Sequence, residues 1–269
     1  MKKNIEDFLN KVYPGDVFDL LKQLPDGSID CVYGDPDYNV GRKYGDKNYT
    51  RQFSKYIEWY TSLAKECFRV LKDTGNLFLI NYPKQNSYLR VNYLDNAFYE
   101  VYDYAWIYNS NIGHSSKHFT TAHRSILHGR KTKNSKFYKN NVAEPYKNPT
   151  DKRILQNIAN GSKGRMPYSW LYYDLVKNVS REKTFHSCQI PTGLSETLFK
   201  ASTQPGDIVL VLFGGSGSEI MVCKKLNRYF VSAEIDEKYY EMIIARLAHG
   251  GEIPSKFKLQ FKEKHRYKD

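Results

Sequence analysis

Residues 29–33 read Ile-Asp-Cys-Val-Tyr, a short, mostly apolar run that Gly34, Asp35 and Pro36 bring to an end. Proline removes a ladder donor and restricts the residue before it, so the run predicts a buried strand with Asp35 at its carboxyl end. Ahead of it, Gly15-Asp16-Val17 reads as a turn into a helix through Leu20, Leu21 and Leu24, closed by Pro25-Asp26-Gly27. Residues 41–50 form a polar, glycine-bearing loop able to close over a ligand. Apolar positions then recur at Ile57, Tyr60, Leu63, Ala64, Cys67, Phe68 and Leu71, the spacing of a helix with one buried face. Lys72-Asp73-Thr74-Gly75 reads as its cap, residues 76–82 as a second buried strand, 86–98 as a helix and 99–108 as a third strand. The same alternation returns late in the chain. There the pattern predicts a helix over 191–203, a strand over 208–213, a glycine turn, a helix through Ile220, Val222, Cys223 and Leu226, a strand over 229–233 and a helix over 236–247. Strands alternating with helices predict an α/β fold, a parallel sheet with helices on both faces.

Charge divides the chain differently. The 269 residues carry a formal net charge of +12, and between residues 109 and 180 Lys and Arg number 13 against 3 Asp and Glu. Phe119, Phe137, Tyr138, Tyr146, Tyr168 and Trp170 interleave with these bases. Positive charge neutralises phosphates and flat rings stack on bases, so the segment is the expected contact with a nucleic acid. Lys117, Arg124, Arg130 and Lys131 are the expected participants. His114, His118, His123 and His128 fall in the same segment, but no cysteine or paired carboxylate joins them. They are expected to serve as hydrogen-bonding histidines, and no metal is assigned. Cys31, Cys67, Cys188 and Cys223 are scattered, without a CxxC pair, as in a reduced cytoplasmic protein. No apolar run approaches a membrane span and no secretory core follows Met1, so no membrane partner is expected.

Two stretches carry candidate chemistry. Tyr33-Gly34-Asp35-Pro36-Asp37-Tyr38 puts a carboxylate, a free backbone carbonyl and a ring at the carboxyl end of a strand, where open α/β sheets bind ligands. The second is a strand running into Gly214-Gly215-Ser216-Gly217-Ser218 and then a helix. Glycines let backbone approach a nucleotide there, and the helix start offers free N–H groups. Glu234, about 20 residues past the glycine turn at the next strand's end, suits a pair of ribose hydroxyls.

Taken in order, these stretches resemble amino-DNA methyltransferases of the permuted, beta-type arrangement. Asp35-Pro36-Asp37-Tyr38 stands where that family has Asp-Pro-Pro-Tyr; Phe213-Gly214-Gly215-Ser216-Gly217 matches its Phe-x-Gly-x-Gly cofactor loop; and His186-Ser187-Cys188-Gln189-Ile190-Pro191 matches a His-x-x-Gln-x-Pro element before it. The chain departs from the family at Asp37, in place of a second proline, at Val211-Leu212, in place of Asp-Pro, and at Cys188 and Ile190, in place of threonine and lysine.

The resemblance implies a Rossmann-like methyltransferase sheet with an inserted target-recognition region. It divides the chain into a catalytic half (1–108), the insertion (109–180), a cofactor half (181–254) and a basic tail (255–269). It also implies S-adenosylmethionine as cofactor and double-stranded DNA as substrate. A homodimer and a restriction endonuclease counterpart are consistent with it. Asp35 and Pro36 would accept hydrogen bonds from a base's amino group, and Tyr38 would offer a face for the flipped base. Phe213, Gly214, Gly215, Ser216, Gly217 and Ser218 would cradle the cofactor, Glu234 would hold its ribose, Asp16 would lie near its adenine, and His186 and Gln189 near its methionine end. An Asp-first motif leans toward adenine N6. Cytosine N4, RNA methylation and a catalytically weak DNA-binding subunit of a modification complex are the alternatives.

Overall fold

The computed structural model describes residues 4–41, 43–44, 47–109, 116–177, 180 and 182–258. His114 and the last eleven residues of the expected basic tail lie outside them.

Elements follow in chain order: β1 (Lys11–Pro14), α1 (Val17–Leu21), β2 (Ile29–Gly34), a small hairpin of β3 (Lys43–Tyr44) and β4 (Lys47–Asn48), and α2 (Phe53–Val70). Next come β5 (Leu71–Asn81), α3 (Pro83–Leu89), a π-helical turn (Arg90–Leu94), α4 (Asp95–Ala97), β6 (Glu100–Ile107) and β7 (His123–Arg130). The remainder comprises α5 (Lys152–Ala159), β8 (Trp170–Tyr172), α6 (Thr192–Ser202), β9 (Ile208–Val211), α7 (Ser218–Lys225), β10 (Tyr229–Glu234) and α8 (Glu237–Ala248). Eight strands form one sheet in the order β1-β10-β9-β2-β5-β7-β6-β8. The neighbours pair in parallel, except that β7 runs antiparallel to both β5 and β6.

Side-chain alternation explains why the central strands are apolar throughout. Along β9, Ile208 and Leu210 join a core layer with Val32, Leu77 and the α2 residues Tyr56, Tyr60 and Leu63. Val209 and Val211 point the other way, packing with Tyr33, Phe78 and residues of α6 and α7 such as Leu198, Phe199 and Ile220. A sheet covered by helices on both faces buries both sets, so its strands read as continuous hydrophobic runs. Helix α2 buries Tyr56, Ile57, Tyr60, Leu63, Ala64, Cys67 and Val70, the stripe its spacing predicts.

The structure differs from the sequence reading in three places. Lys72–Gly75 do not cap α2; the chain enters β5 directly at Leu71, and Gly75 closes against Asp30 and Lys72 backbone. The boundary at residue 109 divides a hairpin, because residues 123–130 form a strand inserted between β5 and β6. Ser255–Phe257 belong to the body of the protein, with Phe257 buried beside Tyr239 and Phe185. No helix among the described residues is long and apolar enough to cross a membrane.

Candidate active site

The carboxyl ends of β10, β9 and β2 open into one cleft of about 1100 Å³. Its walls bring together most of the sequence candidates: Asp16, Asp35, His186, Phe213, Gly214, Gly215, Ser216 and Glu234.

The glycine turn is shaped by its neighbours. Gly214 donates to the Ala233 carbonyl at 2.8 Å, and a Cβ there would meet Ile243 Cδ1 at 2.6 Å. Gly215 and Gly217 have φ of +52° and +73°, the left-handed region that favours glycine. Glu234, at the end of β10, fastens the turn: one carboxylate oxygen accepts the Gly215 N–H at 2.6 Å, the other the Asp236 N–H at 2.8 Å. Burial pushes its carboxyl upward, while the two amides work in the opposite direction. Each oxygen keeps a second lone pair, so the group can still accept from hydroxyls in the cleft. His186 sits over Gly215 and packs against Tyr239, with ring centroids 4.5 Å apart. Asp16 caps α1 through the Phe18 N–H at 2.8 Å, and Gly15 donates to the Glu234 carbonyl at 2.8 Å.

Three candidates stand behind the wall rather than in it. Gln189 is buried beneath the turn, bonding Ser218 Oγ at 3.1 Å, the Glu182 carbonyl at 2.6 Å and the Thr184 N–H at 3.0 Å. Ser218 and Gly217 begin α7. Their place fits support of the loop instead of direct contact with a ligand.

On the other side of the cleft, Asp35 follows β2 directly. Gly34 lets this strand lie against β9: a Cβ at residue 34 would fall 2.7 Å from Leu212 Cδ1 and 2.8 Å from Leu79 Cδ2. Burial pushes the Asp35 carboxyl up to about 7, against the opposing pull of the Tyr38 hydroxyl and the Arg124 guanidinium. Tyr38 donates its hydroxyl to Asp35. Its ring is 7% exposed, packed edge-on against Tyr82 with centroids 5.3 Å apart, and its carbonyl accepts from Gln85 at 2.7 Å. In this conformation the ring lends its hydroxyl to Asp35, and its face is covered. Stacking on a base requires it to turn away from Tyr82 and Arg124.

The four basic candidates separate. Antiparallel β7 pairs Ser125 with Asn81, which delivers Arg124 to the same sheet edge as Asp35. There Arg124 lies 4.0 Å from the Tyr82 ring centroid and 5.4 Å from that of Tyr38, and donates to the Tyr108 hydroxyl. Lys117 is exposed in the connection between β6 and β7. Arg130 pairs with Asn76, roughly 17 Å of strand back from the Ser125–Asn81 pair toward the opposite edge. Glu100 and the Lys133 and Ser135 carbonyls hold it there. Lys131 bonds the Leu71 carbonyl at 2.6 Å and lies 4.8 Å from the Phe68 ring centroid. The structure therefore does not bring Arg130 and Lys131 to the cleft; both are spent on closing the far edge of the sheet. His128 is buried between Tyr104 and Asn76, each 2.9 Å away, and burial holds it neutral, down to about 3.

The cleft also contains residues that pattern reading passed over. Tyr33, Tyr49, Arg51, Trp59, Glu219 and Tyr239 all line it. Tyr33 is 1% exposed and its hydroxyl has no hydrogen-bond partner. Glu219, in the first turn of α7, is buried, and burial raises its carboxyl to about 8, with Asp35 adding to the effect and Arg246 opposing it. An acid directly after a glycine turn was a visible signal; Tyr33 and Trp59 look like ordinary core residues in sequence.

The fold and cleft define an α/β protein in which a glycine turn and two carboxylates at strand ends, Asp35 and Glu234, line one cleft. The DNA methylase family matches residues 29–245, and the chain belongs to that family. Among curated relatives, it is 30% identical over 247 residues to the type II methyltransferase M.BglII of Bacillus subtilis, covering 87% of this chain and 68% of that protein. It is 26% identical over 238 residues to the DNA adenine methyltransferase YhdJ of Escherichia coli strain K12, covering 87% and 81%. Among solved structures, PvuII DNA methyltransferase, described as cytosine-N4-specific, superposes with a TM-score of 0.66 at 20% identity, over 86% of this chain and 83% of that one. An M1.HpyAVI complex with S-adenosylmethionine gives 0.62 at 23% identity, over 88% and 98%.

Proposed function

We propose that the protein methylates the exocyclic amino group of a base in double-stranded DNA, using S-adenosylmethionine, with adenine N6 as the target. The observation that carries this reading is that Asp35 and the Glu234-fastened glycine turn line one cleft, in a member of the DNA methylase family.

The cleft fits the cofactor. All of these line the cleft: Glu234 would hold the ribose hydroxyls, Asp16 and Val17 would lie at the adenine end, and the backbone at Gly214 and Gly215 would lie along the sugar and sulfur. S-adenosylmethionine supplies an electrophilic methyl group on a positively charged sulfur. The chain's residues supply the rest. A base's amino lone pair is delocalised into its ring, which makes the nitrogen a poor nucleophile. Accepting its two N–H bonds, one at the Asp35 carboxylate and one at the Pro36 carbonyl, favours a tetrahedral nitrogen whose lone pair can point across the cleft. Holding that nitrogen in line with the methyl contributes by proximity and orientation. Extruding a base from the duplex costs a few kcal/mol, and stacking on the Tyr38 or Tyr82 ring can offset ~1–3 kcal/mol of it. The ionised Asp35 carboxylate is a stronger acceptor than the acid, so its pull on the amino group grows as the proton is lost near pH 7.

Adenine is favoured by the Asp-first motif. The test incubates the protein with tritiated S-adenosylmethionine and unmodified duplex DNA, digests the product and separates the nucleosides. Label in N6-methyladenosine supports the reading. Label in N4-methylcytosine moves the target base, label in RNA alone moves the polymer, and no label on any polymer despite cofactor binding leaves the binding-subunit alternative.

A further inference from the structure

Asp37 stands where a proline is usual in the resembled motif, and its surroundings give it a use. One carboxylate oxygen accepts the Asn39 N–H at 3.2 Å; the other is buried and has no hydrogen-bond partner. An unpaired buried acceptor is costly, so a protein that keeps one commonly has a ligand for it. Asn39 continues the arrangement. Its side chain accepts from the Arg51 N–H at 2.6 Å and donates to the Arg51 carbonyl at 3.0 Å. The Asp37 carbonyl is in turn fixed by the Tyr56 hydroxyl at 2.6 Å, itself held by Asn81 at 2.8 Å. Asp37, Asn39 and Arg51 thus form one tied unit on the cleft wall, and both Asp37 and Arg51 line the cavity. The Arg51 guanidinium lies 4.6 Å from the Trp59 ring centroid. Such stacking leaves the edge of a guanidinium available for a carboxylate.

We propose that Asp37 and Arg51 read the zwitterionic amino-acid end of the cofactor, Asp37 accepting from its α-ammonium and Arg51 pairing with its α-carboxylate. This rests on the reading of the cleft as an S-adenosylmethionine site. The placement suits the ligand: Glu234 ends β10 and Asp37 lies just past β2, with β9 between them, so the two carboxylates stand about 10 Å apart across the sheet. A nucleoside whose sulfur carries a four-carbon amino-acid arm bridges that gap with its ribose at one acid and its ammonium at the other. Opposite charges on one tied unit also match a zwitterion's two ends and reject a neutral arm, since charge-assisted pairs are the strong ones. The proline of the resembled motif would offer no carboxylate at residue 37.

The experiment measures, by calorimetry, the affinity of wild type, D37N and R51M for three probes: S-adenosylmethionine, S-adenosylhomocysteine and 5′-methylthioadenosine. The last keeps the adenosine and sulfur but lacks the amino-acid arm. An asparagine at residue 37 can still accept the Asn39 N–H, so the fold of the motif is preserved. D37N and R51M should each weaken the first two probes by roughly ten- to a hundredfold and leave 5′-methylthioadenosine within about twofold. Unchanged affinity for S-adenosylhomocysteine, or an equal loss for 5′-methylthioadenosine, overturns the proposal while leaving the cofactor reading intact. Wild-type protein that binds none of the three overturns the cofactor reading itself.

Discussion

Replacing Tyr38 with phenylalanine should move the pH dependence of methyl transfer toward the alkaline side. Burial raises the Asp35 carboxyl from 3.8 to about 7, and the Tyr38 hydroxyl and Arg124 hold it from rising further. A hydrogen bond to a charged group contributes about 1.5–3 kcal/mol, and one pH unit corresponds to about 1.4 kcal/mol. Removing the hydroxyl while keeping the ring should therefore raise the Asp35 value by about one to two units. On the proposed mechanism the ionised form is the better acceptor of the amino N–H, so activity should rise with pH through the Asp35 value: at one unit below it about a tenth of the enzyme is ionised, at one unit above about nine-tenths. The assay is kcat/KM for duplex DNA at saturating cofactor, measured from about pH 5.5 to 9.5, since that ratio reports groups of the enzyme before DNA binds. The bound cofactor's positive charge lowers Asp35 in wild type and variant alike, so the difference between them is the diagnostic quantity. An acid limb that stays in place in Y38F, or moves to lower pH, would refute the assignment of the controlling group to Asp35.

Three other outcomes follow from the geometry. Glu234→Ala should weaken S-adenosylmethionine by roughly ten- to a hundredfold in a calorimetric titration, because it removes both the proposed ribose acceptor and the clasp on the Gly215 amide. Gly34→Ala should lower stability by about 1–3 kcal/mol in urea unfolding, since its Cβ overlaps Leu212 and Leu79 in a closed core. Lys117→Ala should lower the slope of log affinity for DNA against log salt by about one unit, whereas Arg130→Ala and Lys131→Ala should leave that slope unchanged, their charges being committed to Glu100 and the Leu71 carbonyl.

What the sequence disclosed depended on periodicity and on punctuation. The α2 stripe, the β9 run into Gly214 and the stop at Pro36 are local signals, and each element lies within a few residues of its expected place. Strand β7 was hidden because its buried centre, Ser125 to Gly129, holds only two large apolar residues and is flanked by His123, Arg124 and Arg130, so a count of charges absorbed it into the basic segment. Counting charge also cannot say at which sheet edge a base emerges; only the direction of β7 separates Arg124 from Arg130. The motifs located Asp35 and Glu234 because those residues end strands. Tyr33, Arg51 and Trp59 reach the cleft from a strand interior, a loop and a helix face, where nothing in their local pattern marks them.

The antiparallel course of β7 has a consequence for how such a chain can change. Its two ends emerge at opposite rims of the sheet: residues 116–122 lead into it at the rim that holds Asp35 and Arg124, while the chain leaves it at the far rim after Arg130 and rejoins the sheet at Trp170, level with Ala105. The strand itself is paired on both sides, with β5 and with β6. Substitutions at residues 116–122 therefore change the rim beside Asp35 and Arg124 while the ladder that ties β7 to β5 and β6 beneath them keeps its register.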